Sequence, residues 1–273
     1  MLLSNRFVIV TLIFMITGMG SSRGDEGMWP LSELHDLDLE KYGLQLDLTE
    51  IYNPEGVSLL DGICNVSGCS GAFVSEHGLI LTNHHCAFRA IQNASTPEDN
   101  FLEKGFTAEN MADEIPAPGY TVRITESYRD VSDEVLSVIS VNMSPLERTK
   151  ALEKKRKEII IKEEHEDPGK RAEVSEMFLG KTYVLFLYIY LKDIRLVYAP
   201  PLAIGNFGGE VDNWMWPRHT GDFSFMRAYV APDGSPAEYS QNNTPYIPKK
   251  VIKLATEGVV EGDFVFIMGY PGR

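Results

Sequence analysis

Gly68-Cys-Ser-Gly-Ala-Phe-Val-Ser-Glu-His-Gly-Leu-Ile-Leu-Thr-Asn-His-His-Cys86 reads as a β-hairpin that runs out into two histidines and a cysteine. Ala72-Phe-Val74 and Leu79-Ile-Leu81 are short apolar arms, and Ser75-Glu-His-Gly78 between them has turn composition. His77 falls in that turn as a solvated residue. The β signal extends back to Val57, with Gly62, Gly68, Gly71 and Gly78 as punctuation. Cys69 and Cys86 sit on the two arms, where an oxidising compartment would allow a bridge that fixes the His-bearing turn.

Further along, residues 96–120 are loop-like, rich in Pro and Gly, and a strand is predicted at Tyr120–Thr125. Residues 131–167 are helical by composition, and Ser144-Pro145-Leu146-Glu147 has the form of a helix start. Leu146–Glu166 is dense in Lys, Arg and Glu, which marks a solvated helix face. Strands are predicted again at Thr182–Tyr190 and Ile194–Tyr198, the stretch Val184–Tyr190 as a strand buried on both faces. Further strands are predicted at Phe223–Val230, Val251–Ala255 and Phe264–Met268. Short strands interrupted by one charged helical excursion predict a mainly β fold, a barrel or sandwich with a helical insertion.

Toward the N-terminus the reading changes. Arg6, the apolar run Phe7–Met15 and small residues up to Ser22 form a secretory signal over residues 1–24, too short to span a bilayer comfortably. An exported chain follows, in the periplasm, at the cell surface or secreted, with no stable membrane span once the signal is removed. Short helical or irregular structure is predicted from Asp25 to Pro54. The chain has 273 residues, enough for a packed core, and 44% hydrophobic content excludes disorder and collagen. With 25 Lys+Arg against 39 Asp+Glu the formal charge is −14, which argues against nucleic acid as a partner. Three cysteines are too few for a disulfide-built miniprotein.

Three chemistries fit His84-His85-Cys86. One is the general base of a hydrolase. Trypsin-like serine proteases set their base beside a half-cystine after a strand–turn–strand, because the imidazole must stay neutral, oriented and within reach of a hydroxyl. Another is a zinc site, although neighbouring His residues on a strand face opposite ways and no HExxH or paired CxxC completes it. The third is two satisfied histidines in a turn. His85 is the better base candidate and His84 the structural one. A carboxylate to orient the base is offered by Gly205-Asn-Phe-Gly-Gly-Glu-Val-Asp-Asn-Trp-Met-Trp-Pro-Arg-His-Thr-Gly-Asp222, where Asp222 opens a predicted strand and Asp212 is a rival. Asp222 also reads as a simple turn cap after Gly221. Trp214 and Trp216 read equally as core or as pocket walls. No Gly-Asp-Ser-Gly or Gly-Asn-Ser-Gly occurs, and Ser70 reads as structural.

Taken in order, Asp25-Glu-Gly-Met-Trp29, Gly68–Cys86, Pro116-Ala-Pro-Gly119, Ala199-Pro-Pro201, Gly205–Arg227 and Gly269-Tyr-Pro-Gly-Arg273 resemble the S46 peptidases, the bacterial dipeptidyl-peptidases 7 and 11 and their relatives. The resemblance implies a trypsin-like double β-barrel with a large inserted helical domain, and removal of dipeptides from the free N-terminus of oligopeptides. It puts the catalytic His on His85 and the catalytic Asp on Asp222. It puts the groups that hold the substrate's α-amino end on Asn213 and Trp214, and the half-cystines on Cys69 and Cys86, leaving Cys64 unpaired. No cofactor and no metal are implied, and a homodimer is implied for the full-length enzyme. The family's serine lies in a Gly-Asn-Ser-Gly type motif far beyond Arg273. Residues 25–273 are therefore expected to be the N-terminal part of a catalytic domain that stops short of its nucleophile. The rival expectation is an inactive fragment or a non-catalytic peptide binder.

Overall fold

The computed structural model describes residues 28–167, 169–178, 180–213, 215 and 217–270. The signal segment 1–24, Asp25-Glu-Gly27, Trp214, Trp216 and Pro271-Gly-Arg273 lie outside these residues. Contacts divide the chain into a short unit ending at Asp38, with a 3-10 turn at Leu31–Asp36, and a unit from Leu39 onward. Among the described residues all strands and α-helices belong to the second unit.

The strands are β1 (Ile63–Val66), β2 (Cys69–Phe73), β3 (Leu79–Thr82), β4 (Phe106–Thr107), β5 (Ile115–Pro116), β6 (Val122–Asp130), β7 (Lys170–Phe178), β8 (Thr182–Leu191), β9 (Asp193–Ala199), β10 (Ser224–Val230) and β11 (Thr244–Pro245). The helices are α1 (Leu48–Ile51), α2 (His84–Ala94), α3 (Phe101–Lys104), α4 (Ser132–Leu136), α5 (Pro145–Glu166), α6 (Leu202–Gly205) and α7 (Gly209–Asn213). Among the described residues the strands form one antiparallel sheet in the order β4-β9-β10-β3-β2-β1-β6-β8-β7, with β5 added to β9 and β11 to β10.

The β2–β3 hairpin forms as its sequence predicts, with Ala72 opposite Leu81 and Phe73 opposite Ile80. Its turn needs glycine at position 78. Gly78 has φ +66°, and a Cβ there would lie 2.7 Å from the Ala228 carbonyl oxygen and 2.8 Å from that of Tyr246. Alternate residues of these strands, with Val66, Phe73, Ile80, Val122, Leu196 and Met226 fully buried, build the main core.

After β3 the chain departs from the predicted turn. His84, His85 and Cys86 form the first turn of α2, not the end of a strand. The helix is favoured because Ala87, Ala90 and Ile91 recur at helical spacing and bury one face in the core. Tyr120 clamps it from outside the helix, donating to the Cys86 carbonyl at 2.9 Å and accepting from the Ala90 amide at 3.2 Å.

The helical excursion forms at α4 and α5. Ser144 and Glu147 make the reciprocal capping box, with Pro145 at the first helical position. Ile159 of α5 packs with Val131, Val135, Val174, Tyr183 and Leu185 in a second small core over the β7–β8 hairpin. Strand β7 was not foreseen, because its charges continue the Lys/Glu pattern of α5. Ala172 and Val174 nonetheless alternate with polar residues, and this register follows from pairing with β8. Strand β8 is buried at Tyr183, Leu185, Tyr188 and Leu191 and only half-covered between them, so it is not the doubly buried strand predicted. On the half-covered face Phe186 meets Tyr128, which stacks on Tyr52.

The predicted strands Val251–Ala255 and Phe264–Met268 do not form. Both segments are mostly exposed coil outside the sheet; the Ile252 N–H donates to the Phe73 carbonyl at the end of β2 at 2.8 Å, but this single bond does not extend into a ladder among the described residues.

Candidate active site

His85 stands at the start of α2, where the backbone N–H groups of the first turn lack intrahelical partners. Asn83 is the N-cap but makes no side-chain cap bond. The cap comes instead from Asp222, far away in sequence, whose Oδ1 accepts the His85 backbone N–H at 3.0 Å. The other oxygen of the same carboxylate, Oδ2, meets His85 Nδ1 at 2.8 Å. One carboxylate thus fixes both the backbone and the ring of His85. That contact favours the tautomer with the proton on Nδ1 and leaves Nε2 as the basic nitrogen. The imidazole is 67% exposed while the Asp222 side chain is 6% exposed.

Asp222 is held in turn. Asn83 Nδ2 donates to its backbone carbonyl at 3.1 Å and to Oδ2 at 3.3 Å, and Arg218 Nη2 donates to Oδ2 at 3.0 Å. Burial pushes the Asp222 carboxyl up. The hydrogen bonds from His85 and the charges of His85 and Arg218 outweigh it and hold the group below the usual aspartate range. Asn83 and Arg218 were not singled out from sequence. Their only signal was proximity, Asn83 beside the His pair and Arg218 four residues before Asp222.

Asp222 lies two residues before Ser224, which opens β10 and pairs with Thr82 of β3. Two adjacent strands therefore deliver the imidazole and the carboxylate to the same edge. Cys69 and Cys86 are joined in a disulfide with Cα atoms 6.1 Å apart, tying β2 to the first turn of α2. Ligand atoms of Cys69, His85 and Cys86 lie within 4.8 Å of one another, but with the two sulfurs bonded together neither offers the thiolate that zinc requires. Cys64 is free and fully buried, and burial pushes its thiol up, so it is unreactive.

The segment between α6 and β10 is a closed loop. The Ile204 carbonyl accepts the Gly221 N–H at 2.9 Å and the Thr220 hydroxyl at 3.1 Å, so the two ends meet. Gly221 fits because a Cβ there would lie 2.7 Å from Ile204 Cγ2. Asn213 is the last residue of α7 within this loop, and Asp212 precedes it. Ser70 is occupied structurally: its Oγ accepts the Tyr270 N–H at 2.8 Å, and its carbonyl accepts the Thr82 hydroxyl at 2.9 Å. His77 is exposed, and its carbonyl accepts from Arg227 Nη1 at 2.6 Å.

The arrangement is an exposed imidazole gripped by a buried carboxylate on a disulfide-tied antiparallel sheet, a geometry able to orient a base. The sequence profile of the peptidase S46 family matches residues 24–273, and the chain belongs to that family. It is 42% identical over 272 residues to dipeptidyl-peptidase 7 of Capnocytophaga gingivalis, covering 98% of this chain and 38% of the relative. It is 40% identical over 275 residues to the Asp/Glu-specific dipeptidyl-peptidase of Porphyromonas endodontalis, again covering 98% and 38%. The crystal structure of P. endodontalis DPP11 in complex with the dipeptide Arg-Asp superposes with a TM-score of 0.80 at 39% identity, covering 88% of this chain and 36% of that one. The chain thus spans well under half the length of these relatives.

Proposed function

We propose that this chain is the His- and Asp-bearing part of a serine exopeptidase that releases dipeptides from the free N-terminus of oligopeptides. His85 acts as general base and Asp222 orients it and stabilises the imidazolium. The nucleophile is a serine in sequence outside these 273 residues. His85 Nε2 takes its proton as the hydroxyl attacks the second peptide carbonyl, then gives that proton to the leaving amine. Asn213 and Trp214 hold the substrate's ammonium group. Cleavage then stops at two residues, because the distance from amine anchor to nucleophile is fixed. The sheet is the first barrel, and the start of the remainder, of a trypsin-like double barrel.

The observation that carries this reading is the double grip of Asp222 on the backbone and ring of an exposed His85. The names of the relatives support the substrate class. The test begins with the intact mass of the natural gene product. A mass well above 30.6 kDa is expected. That product should release dipeptides from free peptides but not from N-acetylated ones, and His85→Ala should abolish the release. A mass no greater than 30.6 kDa, with dipeptide binding by calorimetry and no hydrolysis, would instead establish a non-catalytic peptide binder. Retained turnover in His85→Ala would overturn the assignment of the base.

A further inference from the structure

His84, the neighbour of the proposed base, is 1% exposed, and its Nε2 is buried with no hydrogen-bond partner. The Pro200 backbone interacts with the ring, and since Pro offers no N–H it does so through its carbonyl. Five residues further on, Gly205 packs its bare Cα against the same ring. A Cβ at Gly205 would collide with His84 Cγ and would lie 2.5 Å from Cδ2 and 2.8 Å from Nδ1. Glycine is required there by space, not by backbone conformation. The Gly205 N–H in turn donates to the Pro201 carbonyl at 2.9 Å, and Ile204 next to it carries the bonds that close the 204–221 loop. A buried polar atom left unpaired costs stability, which a phenylalanine of similar shape would avoid. Phenylalanine would lose the interaction with the Pro200 carbonyl.

We infer that His84 is a positioning residue, a wedge that seats the base of the 204–221 loop against the first turn of α2. The two halves of the site are thereby registered. His85 leaves the wedge on the exposed side of the helix start, while Asn213 and Asp222 leave it on the loop whose closure the wedge supports. The functional part of this inference rests on the reading of Asn213 and Trp214 as the amine anchor.

The test is a double-mutant cycle read by hydrogen exchange on the whole chain. Gly205→Ala should speed exchange of amides in 204–221 by roughly tenfold while the β2–β3 hairpin stays protected. Adding His84→Ala should remove the clash and restore most of the protection. If Gly205→Ala alone fails to fold, folding of the double variant is the same suppression. If neither folds, His84→Ala alone should loosen 204–221 selectively. Unchanged loop exchange in His84→Ala, or equal loosening by Gly205→Ala with and without His84, overturns the wedge. In the serine-bearing protein, His84→Ala should raise KM for free-amine peptides more than it lowers kcat. Loop loosening with kcat and KM unaffected would leave the wedge standing and reject the amine-anchor reading instead.

Discussion

Asp222 does two jobs with one carboxylate, and they can be separated. Asp222→Asn keeps the shape, and its amide oxygen can still cap α2, but it removes the charge that stabilises an imidazolium and offers an N–H to one partner. In the serine-bearing protein kcat should fall on the order of 10⁴-fold, the loss known for that change in Ser-His-Asp enzymes, with the fold intact by circular dichroism. A loss below tenfold would remove Asp222 from the mechanism. His84 gives the complementary prediction for stability. Burial lowers its pKa below 6.5, the His85 charge adds to this, and the Asp222 charge and the Pro200 bond oppose it. The unfolded chain therefore takes up this proton at higher pH than the folded chain. The stabilisation is complete above about pH 6.5 and is lost as pH falls through the folded value. Thermal melts from pH 7.5 to 5 should show a falling Tm whose slope flattens in His84→Gln; an unaltered slope would show that another group drives the loss.

Between the elements, the Cys69–Cys86 bridge closes a sequence separation of 17 residues and ties β2 to α2. By loop-closure entropy, Cys69→Ser with Cys86→Ser should destabilise the chain by about 3 kcal/mol, measured as a lower urea midpoint with a slope no smaller than the parent's, since the unbridged unfolded chain is less compact. A smaller slope would mean that the hairpin itself had come apart in the native state. At this scale the limits of sequence reading are also physical. The β2–β3 hairpin was legible because turn chemistry and alternation are local and agree. The capping box at Ser144 was legible for the same reason. The start of α2 was not, since its cap arrives from Asp222, a contact 137 residues away that no local pattern encodes. For Val251–Ala255 and Phe264–Met268 apolar content suggested strands, but a strand needs a run of partner bonds, and among the described residues no ladder forms there beyond the single Ile252 N–H to Phe73 carbonyl bond. Within the site, the residue types at 85 and 222 were readable, whereas the contributions of Asn83 and Arg218 depend on where the 204–221 loop closes.

Over the whole molecule, net charge and surface apolarity work against each other. A formal charge of −14 favours dispersal by mutual repulsion. The last described segment opposes it: Leu254, Val259, Val260 and Val265 are each more than 60% exposed, and Ile267 is fully exposed. Such a run of apolar side chains with high strand propensity and open backbone is the usual substrate for edge pairing. Repulsion between chains is screened beyond about 10 Å at 0.1 M salt, whereas burial of apolar area is not screened. The isolated chain should therefore associate as salt and concentration rise. Sedimentation velocity at low and moderate salt is the measurement, and Val265→Asp with Ile267→Asp should return the protein to a monomer. If the double variant associates as strongly as the parent, the sticky surface lies elsewhere in the fold. If the parent stays monomeric at all concentrations, the coil at 251–268 is covered in solution by the chain's own sheet.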